Sequence, residues 1–205
     1  MTEIQRHIGA HIRTIESLRG ETETIQRIAD MVLDCLRGGG CAFWIGNGGS
    51  AADCQHLAAE LVGRFERERR GLASVALTTD SSVLTSVGND YGFEYLFERQ
   101  VQALCRSGDL LIAISTSGNS PNILKAVKAA NTKGIATIGF SGRGGGALRK
   151  LARICLVVPD ENTARIQEAH ILVGHILCDL VERGINGAAS SLSTNNIPCS
   201  THPKQ

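Results

Sequence analysis

Two short stretches of this chain carry residue types suited to holding a phosphate. Gly46-Asn47-Gly48-Gly49-Ser50 follows the apolar run CAFWI, and Ser115-Thr116-Ser117-Gly118-Asn119-Ser120-Pro121 follows LLIAI. The glycines of the first let a ligand approach the backbone, and Ser50 can cap the helix that follows and offer a hydroxyl. In the second, Pro121 suits a first helical position with Ser120 as its N-cap. Such a helix start presents free N–H groups and the positive end of the helix dipole to an anion. Ser115, Thr116, Ser117 and Ser120 add neutral donors. No GK[ST] follows the glycines and no GxGxxG is present, so neither a Walker loop nor a dinucleotide fingerprint is read here. Neither loop holds a Lys or Arg. The implied ligand is a small phosphomonoester held by hydroxyls and amides. One such loop alone is more often an ordinary βα turn, but two at matched strand ends favour a ligand.

A second set has metal or acid–base character. His56 and Glu60 are spaced i, i+4, which puts them on one face of a helix one turn apart. Gln167 and His175, eight apart, share a stripe on a later helix, with Glu168 and His170 on other faces. His, Glu, Gln and His together would form a nitrogen- and oxygen-rich site for Zn²⁺ or a similar divalent ion. Singly these spacings are weak, since an HxxxE pair is usually a surface pair. Nothing in the spacing shows that the two helices meet.

The elements that must position these residues follow from hydrophobic periodicity. Residues 3–37 predict two helices, with Ile4, Ile8, Ile12 and Ile15 in one stripe and Ile25, Ile28, Val32 and Cys35 in the other, stopped by Gly38-Gly39-Gly40. Strands are expected at 41–45, 74–77, 110–114, 135–140 and 154–158. Helices are expected from the first glycine loop to about Gly63, over 81–88, 91–105 and 121–132, and over 163–184, with SGRGGG as a flexible segment. This alternation predicts an α/β fold with a mainly parallel sheet covered on both faces. Residues 1–186 read as a single domain that includes the N-terminal helical pair. Residues 187–205, small and polar, read as a disordered tail.

Composition narrows the function further. The 205 residues carry 21 Lys+Arg and 20 Asp+Glu, a net charge of +1, with 42% hydrophobic residues. Near-neutrality removes the electrostatic argument for a general nucleic-acid partner. No apolar run approaches the roughly 18 residues that span a bilayer, so no membrane role is expected. The N-terminus, with charges mixed into its apolar residues, does not read as a signal peptide. Seven scattered Cys without a CxxC pair read as free thiols of a cytoplasmic protein.

WIGNGGSAADCQHLAAELVGRF, SVGNDYGFEYLF, DLLIAISTSGNSPNILKAV and ARIQEAHILVGHILCDLVE together resemble the sugar-isomerase (SIS) family over most of the chain. STSGNS marks the wider family; GNGGS, HxxxE and RIQ…H in that order are more specific. The resemblance implies a flavodoxin-like SIS fold with a five-stranded parallel sheet flanked by helices. It also implies N-terminal helices packed in a homotetramer, and active sites near subunit interfaces. The reaction it implies is aldose–ketose isomerisation of sedoheptulose 7-phosphate to D-glycero-D-manno-heptose 7-phosphate, toward nucleotide-activated heptose for bacterial surface polysaccharide.

Carried over by motif, Ser115, Thr116, Ser117 and Ser120 would hold the phosphate. Asn47, Gly48, Gly49, Asn89 and Asp90 would contact the sugar chain, with Ser50 serving either. His56, Glu60, Gln167 and His175 would hold one zinc ion per subunit. Glu60 and Gln167 would also touch substrate, and Glu60 and His175 would be the catalytic acid–base pair. Arg64 is a weaker substrate-contact candidate, and the RFERERRG segment is unusually charged for the family. The competing reading is a non-enzymatic SIS relative that binds the replication initiator protein as a scaffold. That relative lacks part of the metal set, whereas all four residues are retained here.

Overall fold

The computed structural model describes residues 2–192, with side chains described through residue 186. The chain begins with α1 (Glu3–Ser17), started by a capping box. Thr2 Oγ1 accepts from the Gln5 N–H at 3.2 Å and Gln5 Oε1 accepts from the Thr2 N–H at 2.8 Å. A short 3-10 turn leads to α2 (Thr22–Arg37). Five strands follow, β1 (Ala42–Gly46), β2 (Ser74–Ala76), β3 (Leu110–Ser115), β4 (Ala136–Ser141) and β5 (Ile154–Val157). Between them lie α3 (Gly49–Val62) after β1, α4 (Ser81–Asp90) and α5 (Leu96–Leu104) after β2, α6 (Pro121–Thr132) after β3 and α7 (Leu148–Leu151) after β4. The last helix is α8 (Thr163–Leu192).

The sheet runs in the order β2-β1-β3-β4-β5, and every pair is parallel. This is the flavodoxin-like order, and the chain reverses its winding between β1 and β3. Alternate residues of the same strands therefore feed two cores. Ala42, Trp44, Leu110, Ile112 and Ile114 pack with α2, α3 and α8 on one face. Phe43, Ile45, Leu111 and Ala113 pack with α5, α6 and α7 on the other. Burial on both faces explains why the strands are continuous apolar runs.

Three expectations needed adjustment. The helix expected over 91–105 is broken, because Gly92 takes a φ of +101° and a 3-10 turn at Phe93–Tyr95 intervenes before α5. The glycine-rich 141–146 segment is a hydrogen-bonded turn, with the Gly142 N–H on Thr116 O at 3.0 Å and the Gly145 N–H on Gly142 O at 2.8 Å. The last helix extends beyond 184 to Leu192, and the remainder of the expected tail lies outside the described residues.

Candidate active site

The winding reversal creates the site. α3 leaves β1 toward one face and α6 leaves β3 toward the other, so a crevice opens between the ends of β1 and β3. A cavity of about 260 Å³ lies there, lined by Asn47, Gly48, Gly49, Ser50, Ile114, Ser115, Thr116, Ser120, Thr163 and Gln167. Both predicted loops thus meet at one cavity. The Ser120 hydroxyl lies 3.0 Å from that of Ser115 and makes no capping bond to its helix. Ser117 faces elsewhere, its Oγ accepting the Asn119 N–H at 3.2 Å.

The Ser115–Ser120 loop is held from behind by the glycine-rich turn. Gly118 has a φ of +65°, and a Cβ there would stand 2.1 Å from Gly145 O. The Leu148 N–H donates to Gly118 O at 2.9 Å, and the Ala147 N–H donates to Asn119 Oδ1 at 3.0 Å. On the other side, Asn47 and Asn122 form a reciprocal amide pair, each Nδ2 donating to the partner Oδ1 at 2.9 Å. Asn122 is 1% exposed. A second cavity of about 430 Å³ adjoins, sharing Asn47 and Ser120 and reaching Tyr91–Glu94. Asn89 and Asp90 line neither cavity in the single chain; Asn89 Nδ2 donates to Asp90 Oδ1 at 2.8 Å.

The two helices with metal-type residues do meet. α3 and α8 approach closely because a Cβ on Gly174 would lie 2.5 Å from Leu57 and one on Gly49 would lie 2.7 Å from Gln167 Nε2. His56 Nε2 and His175 Nε2 are 2.8 Å apart, so one donates and the other accepts. Glu60 Oε1 lies 3.4 Å from His56 Nε2. Phe65 stacks on the His175 ring at 5.5 Å between centroids. Gln167 is not brought to this trio: it lies against Gly49, about 12 Å of helix rise from His175. As they stand, the described residues contain no group of three or more His, Cys, Asp or Glu side chains arranged to hold a metal. The facing imidazoles and neighbouring carboxylate are nonetheless the donor types that zinc takes.

Four residues with a place near the site carried no sequence signal that was used. Asn122 orders Asn47, and Thr163 lines the cavity between the two loops. Arg143 donates to Thr163 Oγ1 at 2.8 Å. Asp53, on α3 ahead of His56, has a buried Oδ2 without a hydrogen-bond partner, and burial pushes its carboxyl up to about 6 against the opposing charge of His56. A polar residue just after the Pro121 start of α6 was the one available hint, for Asn122.

A five-stranded parallel sheet with this order and a hydroxyl-rich crevice at its reversal point define a doubly wound α/β protein built to take a small polar or anionic ligand there. A family profile described as "SIS domain" matches residues 7–142, and the chain belongs to that family. Within it, the phosphoheptose isomerases are the branch to which the chain belongs. The phosphoheptose isomerase of Helicobacter hepaticus is 50% identical over 194 residues, covering 94% of this chain and 99% of the relative. That of Roseiflexus sp. is 52% identical over 181 residues, covering 88% of this chain and 90% of the relative. The solved phosphoheptose isomerase of Neisseria gonorrhoeae superposes with a TM-score of 0.84 at 44% identity, covering 88% of this chain and 97% of that one.

Proposed function

We propose that this chain isomerises sedoheptulose 7-phosphate to D-glycero-D-manno-heptose 7-phosphate, an early step toward nucleotide-activated heptose for bacterial surface polysaccharide. The observation that carries the reading is the convergence of His56, Glu60 and His175 on one helix pair, whose other end walls the hydroxyl-lined crevice. Identity of about one half to phosphoheptose isomerases over most of the chain supports the same substrate.

The chemistry assigns the groups. Ser115, Thr116 and Ser120 hold the phosphate, with Ser117 a further donor if its turn opens. Asn47, Gly48, Gly49, Ser50 and Gln167 face the sugar chain, and Asn89 and Asp90, which line neither cavity in the single chain, are proposed to contact it as well. Glu60 removes the proton from C1 of the ketose as the C1–C2 double bond forms. His175 gives a proton to the C2 oxygen and later takes one from the C1 hydroxyl. Glu60 returns its proton to C2, which completes the aldose with no net change in protons. Remote binding of the phosphate orients the reacting end.

His56, Glu60, Gln167 and His175 are proposed to hold one zinc ion per subunit. A divalent cation bound there supplies Lewis-acid polarisation of the substrate oxygens. The donor types support this reading for the first, second and fourth residues; Gln167 must leave Gly49 to join them.

A homotetramer built on the N-terminal helices is proposed from the exposed Ile4, Ile8 and Ile12. No helix among the described residues is long and apolar enough to cross a membrane. The six cysteines among the described residues are free thiols, which supports a reducing cytoplasmic location.

The test is conversion of sedoheptulose 7-phosphate by purified protein, with chelator and then with zinc restored. Metal-dependent appearance of the aldose is expected. Metal-independent turnover would remove the zinc assignment, and no turnover by zinc-loaded protein would remove the substrate.

A further inference from the structure

The cavity at the sheet's reversal point has no Lys or Arg in its lining. A phosphomonoester there brings a charge of about −1.5 to −2 at neutral pH. One guanidinium stands a single hydrogen bond outside that lining. Arg143 follows β4, and its Nη2 donates to Thr163 Oγ1 at 2.8 Å, Thr163 being a lining residue. Its Nε donates to the Glu161 carbonyl at 3.0 Å and its backbone N–H to the Asp160 carbonyl at 3.1 Å. The preceding Gly142 N–H donates to the carbonyl of Thr116, a second lining residue, at 3.0 Å. Arg143 is thus bonded to one lining residue, Thr163, and its neighbour Gly142 to another, Thr116.

Two further features set this arginine apart. It is the one non-glycine residue with positive φ among the described residues, at +49°, in a run of glycines where glycine would fit without strain. Its side chain also forms no ion pair with a carboxylate among the described residues, in contrast to Arg165, which pairs with Glu168. Arg143 is exposed, and its side-chain hydrogen bonds go to neutral oxygens, so no carboxylate among the described residues pairs with it.

We propose that Arg143 is a positioning residue for the substrate phosphate and acts through Thr163. A hydroxyl has one O–H and two acceptor sites. With an acceptor site of Thr163 Oγ1 taken by the guanidinium, the O–H is set to donate into the cavity. The guanidinium behind it, although exposed and partly screened by solvent, adds a preference for a dianion over a neutral ligand. This rests on the reading of the cavity as the phosphate cradle.

The test uses inorganic phosphate as a competitive inhibitor of sedoheptulose 7-phosphate turnover by the full-length protein. Arg143→Ala is expected to raise both the phosphate inhibition constant and the KM by about ten-fold, the scale of one charge-assisted hydrogen bond. The change in kcat is expected to be smaller than the change in KM. Arg143→Gly suits the φ of +49° and therefore relieves backbone strain, so a matching loss in this variant separates the side chain's role from misfolding. Thr163→Val is expected to weaken phosphate as well, and the double variant to be no weaker than about the Arg143→Ala variant alone, because the two act as one unit. Retention of wild-type phosphate inhibition by Arg143→Ala and Arg143→Gly would overturn the proposal while leaving the cradle intact. A wild-type protein that turns over substrate but ignores phosphate would overturn the cradle reading, and this proposal with it.

Discussion

Two buried or half-buried histidines on α8 are assigned opposite roles, and the difference lies in what surrounds each ring. His175 faces His56 at 2.8 Å, with Glu60 close by, and is the proposed acid–base partner of Glu60. Glu60→Gln and His175→Gln are each expected to lower kcat by about 10²–10⁴-fold, the usual share of a positioned acid or base. Turnover assays on protein with unchanged circular dichroism check this, and near-wild-type turnover would sink the assignment. His170 is instead 0% exposed, packed edge-on to Phe140 at 5.6 Å. Its Nε2–H donates to the Ser141 carbonyl at 3.2 Å, and its Nδ1 has no partner. Burial pushes it down from 6.5 to about 4, against the opposing effect of the Ser141 bond. The folded state therefore keeps this ring neutral while the unfolded chain takes up a proton below about pH 6.5. Its contribution to stability is full above 6.5 and is lost as pH falls toward 4, at up to about 1.4 kcal/mol per pH unit. Urea unfolding at pH 7, 6 and 5 is expected to show a shallower decline for His170→Met than for wild type. Equal slopes would mean that the ring is protonated in the fold.

At the next scale, the connection after α3 supports the helix pair that carries the proposed acid–base groups. Arg69 and Glu182 form a buried ion pair at 3.1 Å, with side chains 1% and 0% exposed. The Arg69 guanidinium donates to the carbonyls of Glu60, Leu61 and Gly63, which α3 leaves without partners at its C-terminal end. Glu182 accepts the N–H groups of Phe65, Glu66 and Arg67 at 2.7–2.9 Å. These bonds fix the backbone of Phe65, whose ring stacks on His175. Burial alone would raise the Glu182 carboxyl, but the three N–H bonds and the Arg69 charge outweigh it and hold it below its ordinary 4.5. Its stabilising contribution is therefore present above pH 4.5 and is lost as pH falls below that value. Glu182→Ala leaves a buried guanidinium unpaired and is expected to cost about 3–5 kcal/mol in urea unfolding. A loss below about 1 kcal/mol would place the pair in the weak, solvent-screened class. In the sequence this segment reads only as an unusually charged run, RFERERRG. The strands, the two loops and HxxxE are legible there because each depends on neighbours within a turn or a pleat. Burial of Arg69 against a glutamate more than a hundred residues away, the Asn47–Asn122 pair and the Arg143–Thr163 contact depend on the sheet order, which local spacing does not encode. The break at Gly92 was missed because the apolar period of 91–105 outweighed one glycine.

Across the whole molecule, the residue pattern of α1 does not match its surroundings in a single chain. Of the expected stripe, Ile15 packs against the core, yet Ile4, Ile8 and Ile12 are 73%, 55% and 53% exposed. The helix is instead held to α8 by polar contacts: His11 Nδ1 on Glu168 Oε2 at 2.7 Å, and Arg165 Nη1 on the His7 carbonyl at 2.8 Å. A fifteen-residue helix is marginal in water without an apolar face to bury. Full burial of an isoleucine is worth about 1.5–3 kcal/mol, so three facing water forgo much of what a partner surface would return. Ile176 of α8 is a further exposed isoleucine, at 36%. The proposed packing of α1 against copies of the same chain would account for these exposed isoleucines. Ile8→Asp places a carboxylate in the middle of that stripe without touching the intrachain contacts of His7, His11 or Arg165. Light scattering during gel filtration is expected to show a tetramer for wild type and a smaller species for Ile8→Asp. Turnover should fall with the loss of assembly if a neighbouring subunit completes the open end of the crevice. An unchanged mass for Ile8→Asp would move the subunit contact away from α1 and leave the stripe without a structural reason.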